Sequence, residues 1–204
     1  EDLYPFCKNP VDFIHLHNVL DSKIGQETIQ KLKDYFNEGH YRELPNQGHV
    51  SKGKTSLGNL FDKPHPSLEY FQTLIKEYVD AFRSKYSQID ATIITHWPKN
   101  WRLEAWYLKI SRGGHVEPHI HDPGWLSGTL YLNIPEGITG DEGAIAFGLS
   151  GDRMPILNDD YPKKICRVQT GDLVLFPASL FHSVLPFNSN EERLCVAFDV
   201  IPTD

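Results

Sequence analysis

The sequence contains few cysteines, and they form no recognisable pattern. Cys7, Cys166 and Cys195 are the three cysteines of the 204 residues, and their spacing leaves no CxxC pair. An odd number at wide spacing argues against a disulfide framework and against a thiolate zinc site. The absence of a disulfide framework favours a reducing compartment, and we therefore expect a cytoplasmic location.

Excess positive charge and long apolar runs are also missing. The 20 Lys and Arg against 27 Asp and Glu give a net charge of -7, which argues against non-specific electrostatic binding of nucleic acid. Because no run reaches about 18 apolar residues, no membrane span is expected. The first residues, "EDLYPFCKNP", show neither an initiator Met nor a secretory signal pattern, and we expect a processed product or a piece of a longer protein.

The length and the N-terminal pattern predict one domain that begins with helices. A chain of 204 residues, 40% of them hydrophobic, is long enough for a single sizeable core. Apolar residues recur at helical spacing in "SKIGQETIQKLKDYF" and "PSLEYFQTLIKEYVDAFRSKYS". Ser22 is a suitable N-cap for the first helix, and Pro66 or Ser67 can start the second. Residues 1–99 are therefore expected to be a mainly helical support region.

From residue 100 onward the pattern predicts short strands. Glycine, proline, asparagine and aspartate separate "LEAWYLKIS", "SGTLYLNIP", "GAIAFGL", "KICRVQ", "DLVLFPA" and "RLCVAFDV". Several short strands in about a hundred residues are typical of a sandwich, a barrel or a jelly roll. Helices followed by strands make the fold class α+β, with the helices bracing one face of the sheet. Residues 100–204 are expected to carry the functional site.

Three histidines are crowded into the segment "GGHVEPHIHDPGW", residues 113–125. In an extended chain residues i and i+2 point to the same side, so His119 and His121 could present two imidazoles to one point. Imidazole binds iron, zinc, copper and nickel, although a solvated polar loop explains an HxH pattern equally well. His182, which follows the apolar strand "LVLFPA", is a candidate third ligand, or else a core histidine bonded to a carbonyl.

Arg193 begins the last predicted strand and does not fit an apolar core. Alternation places it on one face with three other residues, Cys195, Ala197 and Asp199, while the opposite face is apolar. A guanidinium in a partly buried slot requires a carboxylate, preferably a bidentate one. The alternative is a surface arginine at a strand end.

The order of these motifs resembles a known family. The segments "GGHVEPHIHDPGWLSGTLYLNIPEG", "GAIAFG", "GDLVLFPASLFHSVLPF" and "ERLCVAFDVIP" are similar to Fe(II)/2-oxoglutarate-dependent oxygenases, in particular members fused to tetratricopeptide repeats. The similarity covers about residues 45–202. It implies a double-stranded β-helix (jelly-roll or cupin-like) core, Fe(II), 2-oxoglutarate as cosubstrate, and hydroxylation of a C–H bond in a small molecule or a peptide or protein side chain. It also implies an upstream repeat domain in the full-length protein.

The resemblance further implies which residues form the site. His119 and His121 lie near the metal, His182 is the distal ligand, and Arg193 holds the distal carboxylate of 2-oxoglutarate. The chain departs from the usual two-histidine, one-carboxylate triad, because His121 occupies the position of the carboxylate. Three hypotheses remain: all three histidines bind the metal; Asp122 replaces His121 through a bent loop; or only two protein ligands are used. We prefer the first.

Two further groups of residues are candidates for binding cosubstrate or substrate. For the cosubstrate these are the polar stripe Ser127, Thr129 and Tyr131 of "SGTLYLNIP", and Tyr107 and Lys109 on the strand before the histidine segment. An outer sheet face would explain either stripe almost as well. For the substrate, the candidates are Trp125 at the expected mouth of the site and His115.

Other functions are compatible with parts of the pattern. A three-histidine cupin-like dioxygenase that needs no 2-oxoglutarate explains the histidines but gives Arg193 no role. A non-catalytic β-barrel binding module is a second alternative, and a structural zinc site is a third, weakened by the lack of cysteine ligands. Release of succinate would distinguish the preferred 2-oxoglutarate-dependent oxygenase from the three-histidine dioxygenase.

Overall fold

The computed structural model describes residues 8–151 and 162–203. Its strands are β1 (His15–Asn18), β2 (Glu43–Pro45), β3 (Val50–Ser56), β4 (Asn100–His119), β5 (Leu126–Asn133), β6 (Ile145–Gly148), β7 (Lys164–Cys166), β8 (Asp172–Pro177), β9 (Phe181–Val184) and β10 (Arg193–Thr203). The helices are α1 (Lys23–Asn37), α2 (Pro66–Lys85) and the single turn α3 (Thr92–Thr95). Short 3-10 turns span Pro10–Phe13, Val19–Asp21 and Leu60–Asp62.

The strands pair antiparallel into one curled sheet in the order β1-β8-β5-β10-β4-β9-β6-β7, with β3 joining β4 and β2 joining β3. The long strand β4 belongs to both parts of the curled sheet, because its first part pairs with β10 and its last part pairs with β9. Gly113 has a φ of +70°. At Gly114 a Cβ would lie 2.7 Å from a carbonyl oxygen of β3. These two glycines therefore give β4 a backbone conformation and a close approach to β3 that a larger residue would not allow. The result is a double-stranded β-helix braced by helices, and the predicted α+β class is confirmed.

The two long helices form where the pattern predicts them. The Ser22 hydroxyl accepts the amide N–H of Gly25 at the start of α1, and Pro66 occupies the first turn of α2, where its missing N–H costs nothing. The apolar faces of both helices are buried against the outer face of the sheet. That outer face includes the predicted apolar side of β10, namely Val196, Phe198 and Val200.

The first 99 residues contain more strand than expected. β1 pairs with β8, and β3 pairs with both β2 and β4, so the support region extends the sheet as well as covering it. β3 has the sequence "VSKGKTS", which lacks the apolar alternation of a typical strand. Because it lies beside β4, its main-chain groups pair there regardless of its weak propensity.

A second apolar cluster fills the inside of the curled sheet and surrounds the candidate site. It includes Ile110, Val116, Ile145, Phe176 and Val184. In the described ranges, no helix combines the length and the apolar character needed to cross a membrane.

Candidate metal and cosubstrate site

Three histidines converge inside the curled sheet. His119 ends β4, His121 follows in the next turn, and His182 lies on β9, directly opposite His119 in the pairing register. One ligand atom from each ring lies within 4.8 Å of the others, and the Nε2 atoms of His119 and His121 are 3.2 Å apart. The tertiary structure therefore brings together the three histidines that the sequence singled out.

Two of the rings are oriented by main-chain carbonyls two residues earlier. Nδ1 of His119 lies 2.8 Å from the carbonyl oxygen of Glu117, and Nδ1 of His182 lies 3.1 Å from that of Leu180. A carbonyl only accepts, so a neutral ring must carry its proton on Nδ1 and leave the Nε2 lone pair free. Both lone pairs are thus available to a metal.

The third ring is oriented by a carboxylate. Nδ1 of His121 donates to Oδ1 of Asp199 across 2.7 Å, and the Ser127 hydroxyl donates to the same carboxylate oxygen. Both Ser127 and Asp199 are buried. A carboxylate behind a ligating imidazole fixes its tautomer and ring orientation.

The spacing fits a single ion. Two imidazole nitrogens held about 2.1 Å from one ion, and about 90–110° apart around it, lie ~3.0–3.4 Å from each other. The 3.2 Å between His119 and His121 falls in that interval. This distance fits one ion shared by His119 and His121 through Nε2, and the ligand atom of His182 lies within 4.8 Å of theirs.

The surroundings keep the imidazoles of His119 and His182 neutral. The pKa of His119 is lowered from 6.5 to about 4, mainly by burial, with the nearby His121 and His49 as additional causes. Burial also holds the pKa of His182 well below its usual range, with His119 and His121 as additional causes. The neutral form is the one that binds metal.

Asp122 lies outside this cluster. It is exposed and does not belong to the group of converging ligands. The extended chain ends at His119, and the following turn is held by the amide N–H of His121, which donates to the carbonyl of Ala178. The geometry gives no support to the hypothesis in which a bent loop uses Asp122.

The histidines open into a cavity of about 720 Å³. Its inner end is lined by Thr129, Tyr131, Arg193 and Cys195, and its outer part by residues that include His49, Asp62, Glu104 and Trp106. Such a volume is typical of small-molecule sites. The three imidazoles line the same cavity.

Arg193 is deeply buried at the inner end, with a relative exposure of 1%. Its Nε donates to the carbonyl of Gly143, its Nη1 donates to the Cys195 sulfur, and the guanidinium lies over the Tyr131 ring. Its Nη2 and the Tyr131 hydroxyl make no hydrogen bond within the described ranges. The same ranges supply no carboxylate that pairs with Arg193, so the inner end fits an anionic group of a ligand.

The predicted polar stripe of β5 divides between two places. Thr129 and Tyr131 line the cavity. Ser127 lies behind His121, where it contacts Asp199 instead of the cavity. Its position makes it a support for the third histidine.

The expectation that Tyr107 and Lys109 bind cosubstrate is not supported by their positions. Tyr107 stacks on Phe36 of α1, with ring centroids 4.3 Å apart, and Lys109 forms ion pairs with Glu43 and Glu192. Both lie on the outer side of β4, whereas Trp106 lines the cavity. Alternation shows that Tyr107 and Lys109 share a face but does not say which face is inside.

Trp125 and His115 also lie away from the cavity. The Trp125 indole N–H donates to the carbonyl of Ile93, and its ring packs against the helical side of the core. His115 pairs with Glu117 at 2.8 Å. Neither residue lines the cavity, so their positions give no support to the expected substrate contacts.

Three residues in contact with the histidines were not predicted from sequence. His49 stacks on His119 with ring centroids 4.9 Å apart, Trp106 meets His121 edge-on, and Asp199 binds His121. A signal existed for Asp199, since it is a charged residue on the same alternating face of β10 as Arg193. His49 gave no such signal, because it precedes a strand without clear periodicity.

A second group of metal-binding side chains lies at the surface, formed by Glu38, His40 and His65. The Nδ1 of His65 accepts the amide N–H of Ser67 at the start of α2. A neutral His65 therefore carries its proton on Nε2, which opposes metal binding there. This group is a weaker candidate than the buried one.

A double-stranded β-helix whose cavity is lined by three imidazoles and a buried arginine is compatible with a metal-dependent oxygenase. Residues 104–199 match the family model described as "Putative 2OG-Fe(II) oxygenase". The match covers the β-sheet core, just under half of the chain, and supports the predicted family. The predicted enzyme class, an Fe(II)- and 2-oxoglutarate-dependent oxygenase, and its cofactors are confirmed.

Solved structures show the same fold over nearly the whole chain. A prolyl-4-hydroxylase from Pseudomonas putida has 16% identity and a TM-score of 0.61, covering 94% of this chain and 93% of its own. HygX from Streptomyces hygroscopicus, with nickel and 2-oxoglutarate bound, has 13% identity and a TM-score of 0.61, covering 93% and 83%. A Trichoplax adhaerens prolyl hydroxylase, in complex with a hypoxia inducible factor peptide, has 15% identity and a TM-score of 0.60, covering 92% and 83%. No curated protein matches the chain.

Proposed function

We propose that this enzyme binds Fe(II) through Nε2 of His119, His121 and His182 and hydroxylates a C–H bond of a small molecule or of a peptide or protein side chain. The observation that carries the proposal is the convergence of the three imidazoles beside buried Arg193 in one cavity. When bound, iron and 2-oxoglutarate supply the oxidising chemistry, and the protein supplies binding and orientation.

Arg193 and Tyr131 bind the far carboxylate of 2-oxoglutarate in this proposal. The buried Nη2 of Arg193 and the Tyr131 hydroxyl are both donors that lack acceptors in the described ranges. A carboxylate offers acceptors for both and neutralises the guanidinium. Thr129 lines the same end of the cavity and provides a further hydroxyl.

Apolar residues around the histidines keep water away from the reacting atoms. Phe176 packs on the His182 ring with centroids 4.6 Å apart, and Ile145, Val116 and Val184 line the cavity near it. Excluding water strengthens the ion pair at Arg193 and limits side reactions of the oxidant.

The outer part of the cavity receives the substrate. The cosubstrate occupies the inner end in this proposal. The substrate would therefore approach the histidines from the side of the cavity that His49 and Trp106 line. Structural relatives include a prolyl hydroxylase in complex with a peptide and HygX with hygromycin B bound. A peptide and a small molecule are therefore both retained as substrate classes for this chain.

The proposed setting is the cytoplasm, because Cys166 and Cys195 are free thiols and a reducing compartment preserves them. A net charge of -7 argues against nucleic acid as the substrate. An upstream repeat domain in a longer protein is a further proposal, supported by the resemblance to repeat-fused members of the family.

Anaerobic titration with Fe(II) and then 2-oxoglutarate tests the proposed function. The expected result is one metal per chain, followed by saturable 2-oxoglutarate binding and, after oxygen is admitted, release of succinate. Metal binding without 2-oxoglutarate binding would favour a three-histidine dioxygenase. Zinc bound without any turnover would favour a structural site or a non-catalytic module.

A further inference from the structure

The proposed metal site has an unbalanced charge. Three neutral imidazoles contribute no negative charge, and His182 is buried, so a divalent cation here would be costly without a nearby anion. Asp122 is exposed, and Asp62 and Glu104 lie in the outer part of the cavity. None of these three carboxylates contacts a histidine of the cluster in the described structure.

Asp199 is the carboxylate that does contact the cluster. It is 4% exposed and lies 2.7 Å from Nδ1 of His121, on the side of the ring opposite the converging Nε2 atoms. Within the described ranges its ion-pair partner is His121, with no lysine or arginine beside it. A buried carboxylate without a strong cationic partner is itself unfavourable. A metal ion bound by the histidines would stabilise Asp199, and Asp199 would in turn offset the positive charge of the metal.

We propose that Asp199 supplies, through His121, the negative charge that a directly bound carboxylate supplies in the usual facial triad. This inference rests on the proposed function, namely iron bound by the three histidines. By accepting a hydrogen bond from Nδ1–H, Asp199 fixes the ring orientation and makes Nε2 of His121 a stronger electron donor. Asp199 is a positioning residue in this role, since it acts on the metal through His121.

The same strand positions both halves of the site. Arg193 and Asp199 lie on the inward face of β10, six residues and therefore roughly 20 Å apart. The intervening Cys195 and Ala197 line the cavity between them. One regular strand thus sets the distance between the anion-binding end and the carboxylate that supports the metal ligand.

Asp199→Asn tests the proposal because it keeps the size of the side chain and removes its charge. The amide can also donate to Nδ1 and so favour the wrong tautomer of His121. We expect Fe(II) affinity to fall about 10–100-fold and the Fe(III)/Fe(II) potential to become more positive, because loss of an anion disfavours the ferric state. Asp199→Glu should restore the potential in part.

Asp172→Asn is the matched control. Asp172 is also 4% exposed, and it binds Asn18 and the amide of Gln169 instead of a histidine. It is expected to leave metal affinity and potential unchanged. A structural effect of losing a buried carboxylate would appear in both variants, whereas the proposed effect appears only at Asp199.

A second variant, Ser127→Ala, tests the proposal if Asp199→Asn does not fold. Ser127→Ala removes the hydroxyl that donates to Asp199 but keeps the charge. The carboxylate then accepts more strongly from Nδ1–H of His121, so the potential should shift in the opposite direction, to a more negative value, by a smaller amount. Wild-type affinity and potential in Asp199→Asn would overturn the proposal, as would an unshifted potential in Ser127→Ala if Asp199→Asn does not fold. Failure of the wild-type protein to bind Fe(II) would instead contradict the proposed function itself.

Discussion

The Arg193 guanidinium lies over the Tyr131 ring, 4.8 Å from its centroid, and each residue has a buried polar atom without a hydrogen bond in the described ranges. Buried donors are rarely left unsatisfied in native structures. Two of them side by side at the end of one cavity indicate a common acceptor from outside the chain. The carboxylate of 2-oxoglutarate is the acceptor that we propose.

Arg193→Ala is expected to weaken 2-oxoglutarate binding strongly. Removing one partner of a buried charge pair costs roughly 2–5 kcal/mol, which at ~1.4 kcal/mol per tenfold corresponds to a loss of about 30-fold or more. Arg193→Lys should recover only part, because the planar fork is lost. The measurement is a 2-oxoglutarate titration of the anaerobic, iron-loaded proteins.

The exposed Arg112, which binds Asn188 and Asn190, provides the control for Arg193. Arg112→Ala should leave 2-oxoglutarate affinity unchanged, and metal affinity should be the same in all these proteins. Equal binding by wild type and Arg193→Ala would show that the cosubstrate lies elsewhere in the cavity.

Tyr131→Phe should weaken 2-oxoglutarate binding less than Arg193→Ala does. A hydrogen bond to a charged group contributes about 1.5–3 kcal/mol, so a loss of ~10-fold or more is expected at ~1.4 kcal/mol per tenfold. Tyr107→Phe removes a hydroxyl from an equally buried tyrosine on the outer side of β4 and should have no effect. The same titration checks both, and a reversed order would contradict the assignment of the inner end.

His182→Ala is expected to abolish stoichiometric iron binding while the fold is retained. The ring is buried and faces His119 across the β4–β9 pair, so no other described side chain can replace it. His115→Ala is the control, because His115 lies outside the cluster. Metal analysis after gel filtration distinguishes the two, and full occupancy in His182→Ala would refute the proposed ligand set.

Asp122→Asn should leave iron affinity within a few-fold of wild type. Its side chain is exposed and outside the converging group, so the substitution changes only a distant, solvent-screened charge. Equilibrium titration against a competing chelator measures the effect. Complete loss of binding would favour the bent-loop hypothesis after all.

The metal-free protein should lose stability as the pH falls below neutrality, in part through His15. Burial, with His17 and Lys85 as further causes, lowers the pKa of His15 from 6.5 to about 4. Between these values the unfolded chain binds a proton that the folded chain does not, so the free energy of unfolding decreases as pH falls from about 6.5 to 4. His15→Gln should flatten this dependence.

Urea unfolding in the presence of a chelator, at pH 7 and pH 5, measures the effect of His15→Gln. The control is His96→Gln, which replaces an exposed histidine and should keep the wild-type difference between the two pH values. An undiminished difference in His15→Gln would show that other groups account for the acid sensitivity.

Local sequence determined the elements whose pattern is strong. The apolar stripe and N-cap of α1, the Pro66 start of α2 and the alternation along β10 are properties of short segments, since capping and burial of one face depend on spacing alone. The same alternation correctly grouped Arg193, Cys195, Ala197 and Asp199. The motif resemblance added the fold, the enzyme class and the cofactors.

Only the tertiary structure determined which face of each strand lines the cavity and which side chains that face contacts. Alternation grouped Tyr107 with Lys109 correctly, but whether that face is inside depends on how β4 curls between β10 and β9. The contacts of His121 with Asp199, and of His119 with His49, join residues 78 and 70 positions apart in the chain, and no local propensity encodes such distances. They arise because the curled sheet closes on itself, which places separate strands around one cavity and so determines which polar side chains can act together.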